Sequence, residues 1–240
     1  MEIIEHECNS PEEFIALDEV LLARAEKGEI SETLRFWESK DHFVVLGRAC
    51  KMREDCFEEH LPKDGIKIVR RTSGGGTVLQ GPGCFNYSAI LAYESSADYR
   101  NIDSSYRKIL GAISGLLCEH GLETKVLPLS DITLGGRKIS GNAQARKRKF
   151  FLHHGTFLLG FDLKKISLYL KHPSVEPEYR LRRAHEEFLE NLPITRETIK
   201  DILVKVFMPY GTRELLGEEE KETEELTKSK YSDPAWNLEF

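Results

Sequence analysis

The stretch Arg70–Ser88 reads RRTSGGGTVLQGPGCFNYS. Two arginines lead into Gly74, Gly75 and Gly76, and Gly81 and Gly83 follow on either side of Pro82. Glycine loses more backbone freedom on folding than any other residue, so a plain strand does not carry three in a row. From the residues alone two explanations stay open. The run is either a tight sheet crossing with both arginines in solvent, or a cradle whose bare backbone closes on an anion. If the preceding strand runs into the loop, Arg70 and Arg71 point to opposite faces. Only one of them then enters a given pocket, where a guanidinium would hold a phosphate or carboxylate bidentately.

Neither common phosphate loop fits. Gly76 and Gly81 have the glycine spacing of a P-loop, but Pro82 stands where its lysine belongs. Gly74 and Gly76 begin a dinucleotide-binding fingerprint, but Leu79 stands at its third glycine.

Working outward, IKIVRR (Ile66–Arg71) reads as a strand entering the loop and FNYSAILAY (Phe85–Tyr93) as one leaving it. Upstream, TLRFWE (Thr33–Glu38) and HFVVLG (His42–Gly47) are strand-like, being rich in β-branched and aromatic residues. Ser10 predicts a helix cap, with Pro11 at the first position, Glu13 in a capping box and Gly28 as the stop. Downstream, Tyr106, Ile109, Leu110, Ile113, Leu116 and Leu117 have helical spacing, ended by Gly121. Gly135-Gly136 predicts a two-residue hairpin turn, HHGTFLLGF a further strand, and Thr195 a cap on a helix with an apolar stripe from Ile199 to Phe207. The acidic run 217–230 reads as a charged linker or solvated helix. Strands and helices mix without strict alternation. The predicted fold class is therefore α/β (α+β), with a mixed, largely antiparallel sheet flanked by helices.

The hairpin places Asp131 on one arm and Lys138 on the other, with Gly141 just beyond. Such a pair is either a surface ion pair of small value or a group that handles a metal and an anionic substrate. His153 and His154 are adjacent, so on a strand they face opposite ways and do not form a zinc site together.

With 240 residues the chain can bury a substantial core without disulfides. The net charge of −6 argues against bulk nucleic-acid binding. The five cysteines include no C-x-x-C pair, which suits a reduced compartment. The N-terminus, MEIIEHECNS, lacks the basic and apolar regions of a signal peptide, and no apolar run is long enough to span a membrane. A cytoplasmic location is expected.

RRTSGGG, SDI, GRKISGNA and HHGTFLL, in this order, resemble the motifs of the lipoate–protein ligase family. FIALDEVLL, the stretch from Trp37 to Arg48 and the closing KYSDPAWNLEF are also similar, so the resemblance covers nearly the whole chain, residues 1–240. Biotin ligases share only part of the pattern. The resemblance implies a single catalytic domain related to class II tRNA synthetases and biotin ligases. It implies ATP- and Mg²⁺-dependent activation of lipoate or octanoate to an acyl-adenylate. The acyl group then passes to a lysine of a lipoyl-acceptor domain, such as a 2-oxoacid dehydrogenase E2 or a glycine cleavage H protein. Carried over by motif, Lys138 would bind the acyl carbonyl and α-phosphate and offset developing charge. Arg71, Ser73, Gly74, Gly75, Gly76 and Thr77 would wrap the adenylate, and Asp131 would hold Mg²⁺. Gly141 would let the backbone come close. His154, Gly155 and Thr156 would line the cleft, Trp37 would wall the acyl tunnel, and Glu19 would sit at its edge.

Three departures from the family pattern stand out. Gln80 replaces a histidine after the glycine run, and Ser130 replaces an asparagine before Asp131. The sequence ends with AWNLEF, so a separate accessory subunit is expected if one is needed. The alternatives are an octanoyltransferase or amidotransferase that carries the acyl chain on a cysteine, for which Cys84 is the candidate, and a non-catalytic binder of acyl nucleotides. The basic run ARKRK (Ala145–Lys149) is either a solvated loop or a docking site for an acidic acceptor domain.

Overall fold

Ser10 caps the first helix as its sequence predicts. In the computed structural model, which describes residues 1–128 and 130–238, β1 (Glu2–Glu5) leads into α1 (Pro11–Lys27). Ser10 Oγ accepts from the Glu13 amide at 3.2 Å, and Gly28 closes the helix at a φ of 81°. That left-handed geometry is the reason for glycine there. The Glu13 carboxylate reaches back to the Asn9 amide at 2.7 Å, one residue earlier than a regular capping box.

The chain continues through β2 (Thr33–Trp37), β3 (Phe43–Leu46), the single-turn α2 (Met52–Asp55), β4 (Lys67–Arg70), β5 (Val78–Gln80) and β6 (Cys84–Ala92). Next come α3 (Ile102–Glu119), β7 (Thr124–Leu127), β8 (Asp131–Leu134), β9 (Arg137–Arg146) and β10 (Phe150–Leu158). Two short helices follow, α4 (Lys164–Tyr169) and α5 (His185–Phe188). The chain then forms α6 (Arg196–Phe207), β11 (Gly211–Glu214), α7 (Gly217–Leu226) and α8 (Pro234–Leu238).

Eight strands form one sheet in the order β11-β1-β2-β6-β10-β9-β8-β7. β1 is parallel to both neighbours and every other pairing is antiparallel, so the expected mixed, largely antiparallel sheet is present. One face buries Leu34, Tyr87, Phe151 and Phe157 against Ile109, Ile113, Ile199 and Leu203 of α3 and α6. On the other face α1 covers Ile90 and Leu152 with Leu17 and Leu21. The register places Trp37 beside Asn86, Asn86 beside Thr156 and Ser88 beside His154. Residues paired in this way share a face, so a polar row lies next to the α1-covered patch. A second sheet, β4-β3-β5, was not foreseen from the sequence.

The run 217–230 is not a linker. α7 is docked on α1, where Arg24 binds Glu218 and Glu222 at 3.0 and 2.9 Å. Glu219 is fully buried and takes both guanidinium arms of Arg213 at 2.7 Å. Only the outer face of the helix is solvated. Leu129 and the last two residues of the closing AWNLEF lie outside the described residues. Among the described residues no helix is long and apolar enough to cross a membrane.

Candidate active site

Between the polar row of the large sheet and the small sheet lies a cavity of about 620 Å³, bounded on a third side by the segment from α4 to α5. Its size is in the range of small-molecule sites. Ile15, Trp37, Val45, Leu79 and Leu158 give it apolar walls, and Arg71, Lys138 and Arg180 bring cations to it.

The β8–β9 hairpin turns at Gly135 and Gly136, with φ of 58° and 79°. A bulge between Ile132 and Thr133 shifts the register so that Lys138 pairs with Thr133 and Gly141 with Asp131. Lys138 Nζ then reaches Asp131 Oδ1 at 2.8 Å, while Tyr179 donates its hydroxyl to Oδ2 at 2.7 Å. A Cβ on Gly141 would sit 2.7 Å from Lys138 Cε, so glycine is what lets the lysine lie across its own strand. Burial raises the Tyr179 hydroxyl pKa, and the Asp131 carboxylate raises it further.

The two arginines separate as alternation predicts. Arg70 turns away from the cavity and donates to the carbonyls of Gly47, Arg48 and Cys50 and to the backbone of Trp236 and Asn237. Arg71 faces the cavity, and its Nη2 donates to the carbonyls of Gly74 and Gly76 at 2.8 and 2.9 Å. It therefore shapes the glycine loop from within. Burial lowers its pKa to about 10, which leaves it charged at neutral pH. Gly75, at a φ of 87°, tucks its carbonyl against Gly47, where a Cβ would stand 1.9 Å away. Gly75, Gly76 and Thr77 line the cavity, whereas Ser73 and Gly74 support it from behind.

Ser73 Oγ meets His154 Nε2 at 2.7 Å, tying the loop to β10. On the other side His154 Nδ1 lies 3.8 Å from Asp18, which binds Arg35 at 2.6 Å and Ser88 at 2.8 Å. Burial and the nearby Arg71 charge hold the His154 pKa well below the usual imidazole range. Gly155 is required because a Cβ would fall 1.8 Å from Asn142 Oδ1. Thr156 joins Gln80 and Asn86 in a closed hydrogen-bonded ring on the cavity wall. Gln80, which stands in place of the expected histidine, is thus engaged through both the oxygen and the nitrogen of its amide. Trp37 stacks on Phe14 with centroids 4.7 Å apart, and its buried Nε1 has no hydrogen-bond partner among the described residues.

A sequence profile of the lipoyl protein ligase A/B catalytic domain matches residues 10–208. The chain belongs to this family. Curated relatives include both proteins named octanoyltransferase and proteins named lipoate–protein ligase. Octanoyltransferase LipM of Kyrpidia tusciae is 28% identical over 255 residues, spanning 93% of each chain. Among solved structures, a lipoate–protein ligase A bound with ATP is similar with a TM-score of 0.83 at 25% identity, covering 98% of this chain and 97% of that one. A bi-partite lipoate protein ligase of Thermoplasma acidophilum, described with its E2 lipoyl domain, has a TM-score of 0.83 at 24% identity over 99% and 96% of the two chains. The latter likeness bears on the fold.

Several residues singled out in the sequence stand elsewhere in this lipoyl ligase-family domain. Cys84 is fully buried in an apolar cluster with Val44, Leu79 and Phe161 and does not line the cavity. Burial pushes its thiol far above the ordinary range. The cysteine that does line the cavity is Cys50, whose Sγ lies 3.4 Å from the Gly75 carbonyl. Its thiol is also raised by burial. Glu19 does not line the cavity but pairs with Lys230 and Tyr231. Asp131, the residue expected to hold Mg²⁺, lines the cavity with Lys138 on Oδ1 and Tyr179 on Oδ2. Within the ARKRK run, Arg146 is structural. It bonds Gln144 at 2.7 Å and lies over the rings of Tyr93 and Phe151 at 4.8 and 4.6 Å. Only Lys147, Arg148 and Lys149 are exposed at the hairpin tip. Tyr179 and Arg180 belong to no quoted motif, and Asn86 and Asp18, which lie within RRTSGGGTVLQGPGCFNYS and FIALDEVLL, were given no role from the sequence.

Proposed function

We propose that this chain is a lipoate–protein ligase catalytic domain. It activates lipoate or octanoate with ATP and transfers the acyl group to a lysine of a lipoyl-acceptor domain. The observation that carries this reading is Lys138, held at 2.8 Å by Asp131, opening on a cavity that also has an apolar wall of Ile15, Trp37, Val45, Leu79 and Leu158. A medium-chain carboxylate has this same division between an apolar body and an anionic head. A carboxylate is a poor electrophile, and a mixed anhydride with AMP removes that barrier. The step needs positioning and charge stabilisation rather than a protein nucleophile. In this reading Lys138 contacts the carbonyl oxygen and α-phosphate, where negative charge develops. Arg71 fixes the loop whose Gly75 and Gly76 lie against the adenylate. Trp37 closes the acyl side. The similarity to the ATP-bound ligase supports the nucleotide. The likeness to a ligase described with its E2 lipoyl domain supports such a domain as acceptor. That protein is also bi-partite, in keeping with an accessory subunit. Mg²⁺ accompanies ATP as its counterion, with no step here assigned to it.

A second reading is favoured by the octanoyltransferase relative, which matches nearly the whole of both chains. It requires a thiol at the cavity, and that thiol is Cys50 rather than Cys84. Lipoate-dependent ATP–pyrophosphate exchange in magnesium buffer separates the two. Exchange that disappears in Lys138→Ala supports the ligase. Absence of exchange, together with transfer from an octanoylated carrier that Cys50→Ser abolishes, would establish the transferase instead.

A further inference from the structure

Away from the cavity, three side chains of different chemistry converge where β1 gives way to α1. His6 Nε2, Cys8 Sγ and a Glu13 carboxylate oxygen all lie within 4.8 Å of one another. Among the described residues this is the one cluster of three metal-ligating side chains. None of the three lines the cavity, and none belongs to the motifs that mark the family resemblance. We propose that His6, Cys8 and Glu13 bind a divalent ion of the zinc class, which clamps the N-terminal strand to the first turn of α1.

The donor set suits such an ion. A borderline metal takes imidazole nitrogen, thiolate sulfur and carboxylate oxygen together, at about 2.0–2.3 Å. Ligand atoms around a tetrahedral ion then stand roughly 3.3–3.8 Å apart. His6 Nε2 and Glu13 Oε1 are already 3.2 Å apart. All three residues are half-buried, so solvent can supply the fourth ligand.

The surroundings are those of a supported site. The second Glu13 oxygen accepts the Asn9 amide at 2.7 Å, which fixes the carboxylate plane. Arg35 Nη2 donates to Cys8 Sγ at 3.2 Å, as an outer donor to a metal thiolate does. The charge of that guanidinium is balanced by Asp18 at 2.6 Å, so it does not repel an ion across the sulfur. Binding is a proton exchange without redox change. The S–H bond breaks, the S–metal bond forms and the proton leaves to solvent. Arg35 also donates to the Phe14 carbonyl at 3.0 Å and lies 5.6 Å from the Trp37 ring. The clamp thus stands behind the wall that Phe14 and Trp37 form. Sequence patterns do not mark the site, because the His6, Cys8 and Glu13 spacing matches no common zinc motif.

The test uses the purified whole chain, stripped with a chelator and then titrated with Zn²⁺ against a competing indicator, or with Co²⁺. The expected result is one ion per chain, with a thiolate-to-cobalt charge-transfer band in the near ultraviolet. Cys8→Ser and His6→Ala should each weaken uptake at least tenfold, whereas Cys118→Ser, at an exposed cysteine outside the cluster, should not. Zn²⁺ should also slow alkylation of Cys8 in the wild-type chain while Cys118 continues to react. This readout holds even if a variant folds poorly. No retained ion, uptake unchanged by Cys8→Ser, or equal alkylation of Cys8 with and without Zn²⁺ would overturn the proposal.

Discussion

Lys138 and Asp131 stand on opposite arms of one hairpin, yet a single bulge at Ile132–Thr133 brings ammonium and carboxylate to 2.8 Å. Tyr179 holds the other carboxylate oxygen, so the lysine is positioned by a partner that is itself fixed. Lys138→Ala should therefore abolish acyl-adenylate formation, by at least a hundredfold if the ammonium acts like other stabilisers of developing charge. Tyr179→Phe leaves Asp131 in place but frees it to rotate, and should cost about tenfold or less. Single-turnover adenylation measures both. Equal losses in the two variants would mean that Lys138 does no more than hold the hairpin.

The glycine loop depends on a residue that its own motif does not contain. A Cβ at Gly47 would stand 1.9 Å from the Gly75 carbonyl oxygen, a backbone atom that cannot swing aside. Gly47→Ala should displace the loop, destabilise the fold by about 1–3 kcal/mol and lower activity. Gly111 and Gly115 are a control within the same chain. Both are exposed on α3 with nothing near an added Cβ. Alanine at either should leave activity intact and raise stability by up to roughly 1 kcal/mol. Urea unfolding of the three variants reads the contrast.

Legibility from sequence followed the range of the interactions. The α1 caps, the Gly135–Gly136 turn and the Thr195 cap are local, and the chain carries them as residue types at fixed offsets. The opposite facing of Arg70 and Arg71 followed from strand geometry alone. The second sheet did not follow, because β5 has only three residues and becomes a strand through its pairing with β3. The partners of the site were hidden for the same reason. Asp18 meets Ser88 across 70 residues and Tyr179 meets Asp131 across 48. Cys84 misled because it shares the face of β6 that carries Asn86 and Ser88 but stands at the strand's start, where Val44 of β3, Leu79 of β5 and Phe161 cover it, and only the tertiary packing shows that.

Burial makes His153 an acid-sensitive part of the core. It is fully buried, and desolvation lowers its pKa from 6.5 to about 3. Its Nδ1 faces the Gln144 amide donor at 3.1 Å and its Nε2 faces the Tyr87 hydroxyl at 3.0 Å, an arrangement that suits the neutral ring. Between pH 6.5 and 3 the unfolded chain binds the proton that the folded chain refuses. Stability therefore falls as the pH drops, by about 1.4 kcal/mol per unit for this group. From pH 7.5 to 5.0 the wild type should lose about 2 kcal/mol more than His153→Gln. Urea titrations at the two pH values decide it, and identical losses would remove His153 from the account.

Cys84 and Cys50 make opposite predictions about thiol chemistry. The Cys84 side chain is sealed among Val44, Leu79 and Phe161, and its nearest acceptor is the Leu79 carbonyl at 3.7 Å. A nucleophile must present a thiolate to its substrate, and burial opposes both ionisation and access here. Brief alkylation of the native protein should label the exposed Cys118 first, the half-buried Cys50 slowly and Cys84 only after unfolding. Lipoate or its adenylate should protect Cys50, which lines the cavity, and leave the labelling of Cys118 unchanged. Cys84→Ala should cost some stability through lost packing, yet keep acyl transfer per folded molecule at the wild-type level. If that variant folds but cannot transfer an octanoyl group, the thiol at position 84 reaches substrate in a conformation other than this one. The division of roles between the two cysteines would then have to be reversed.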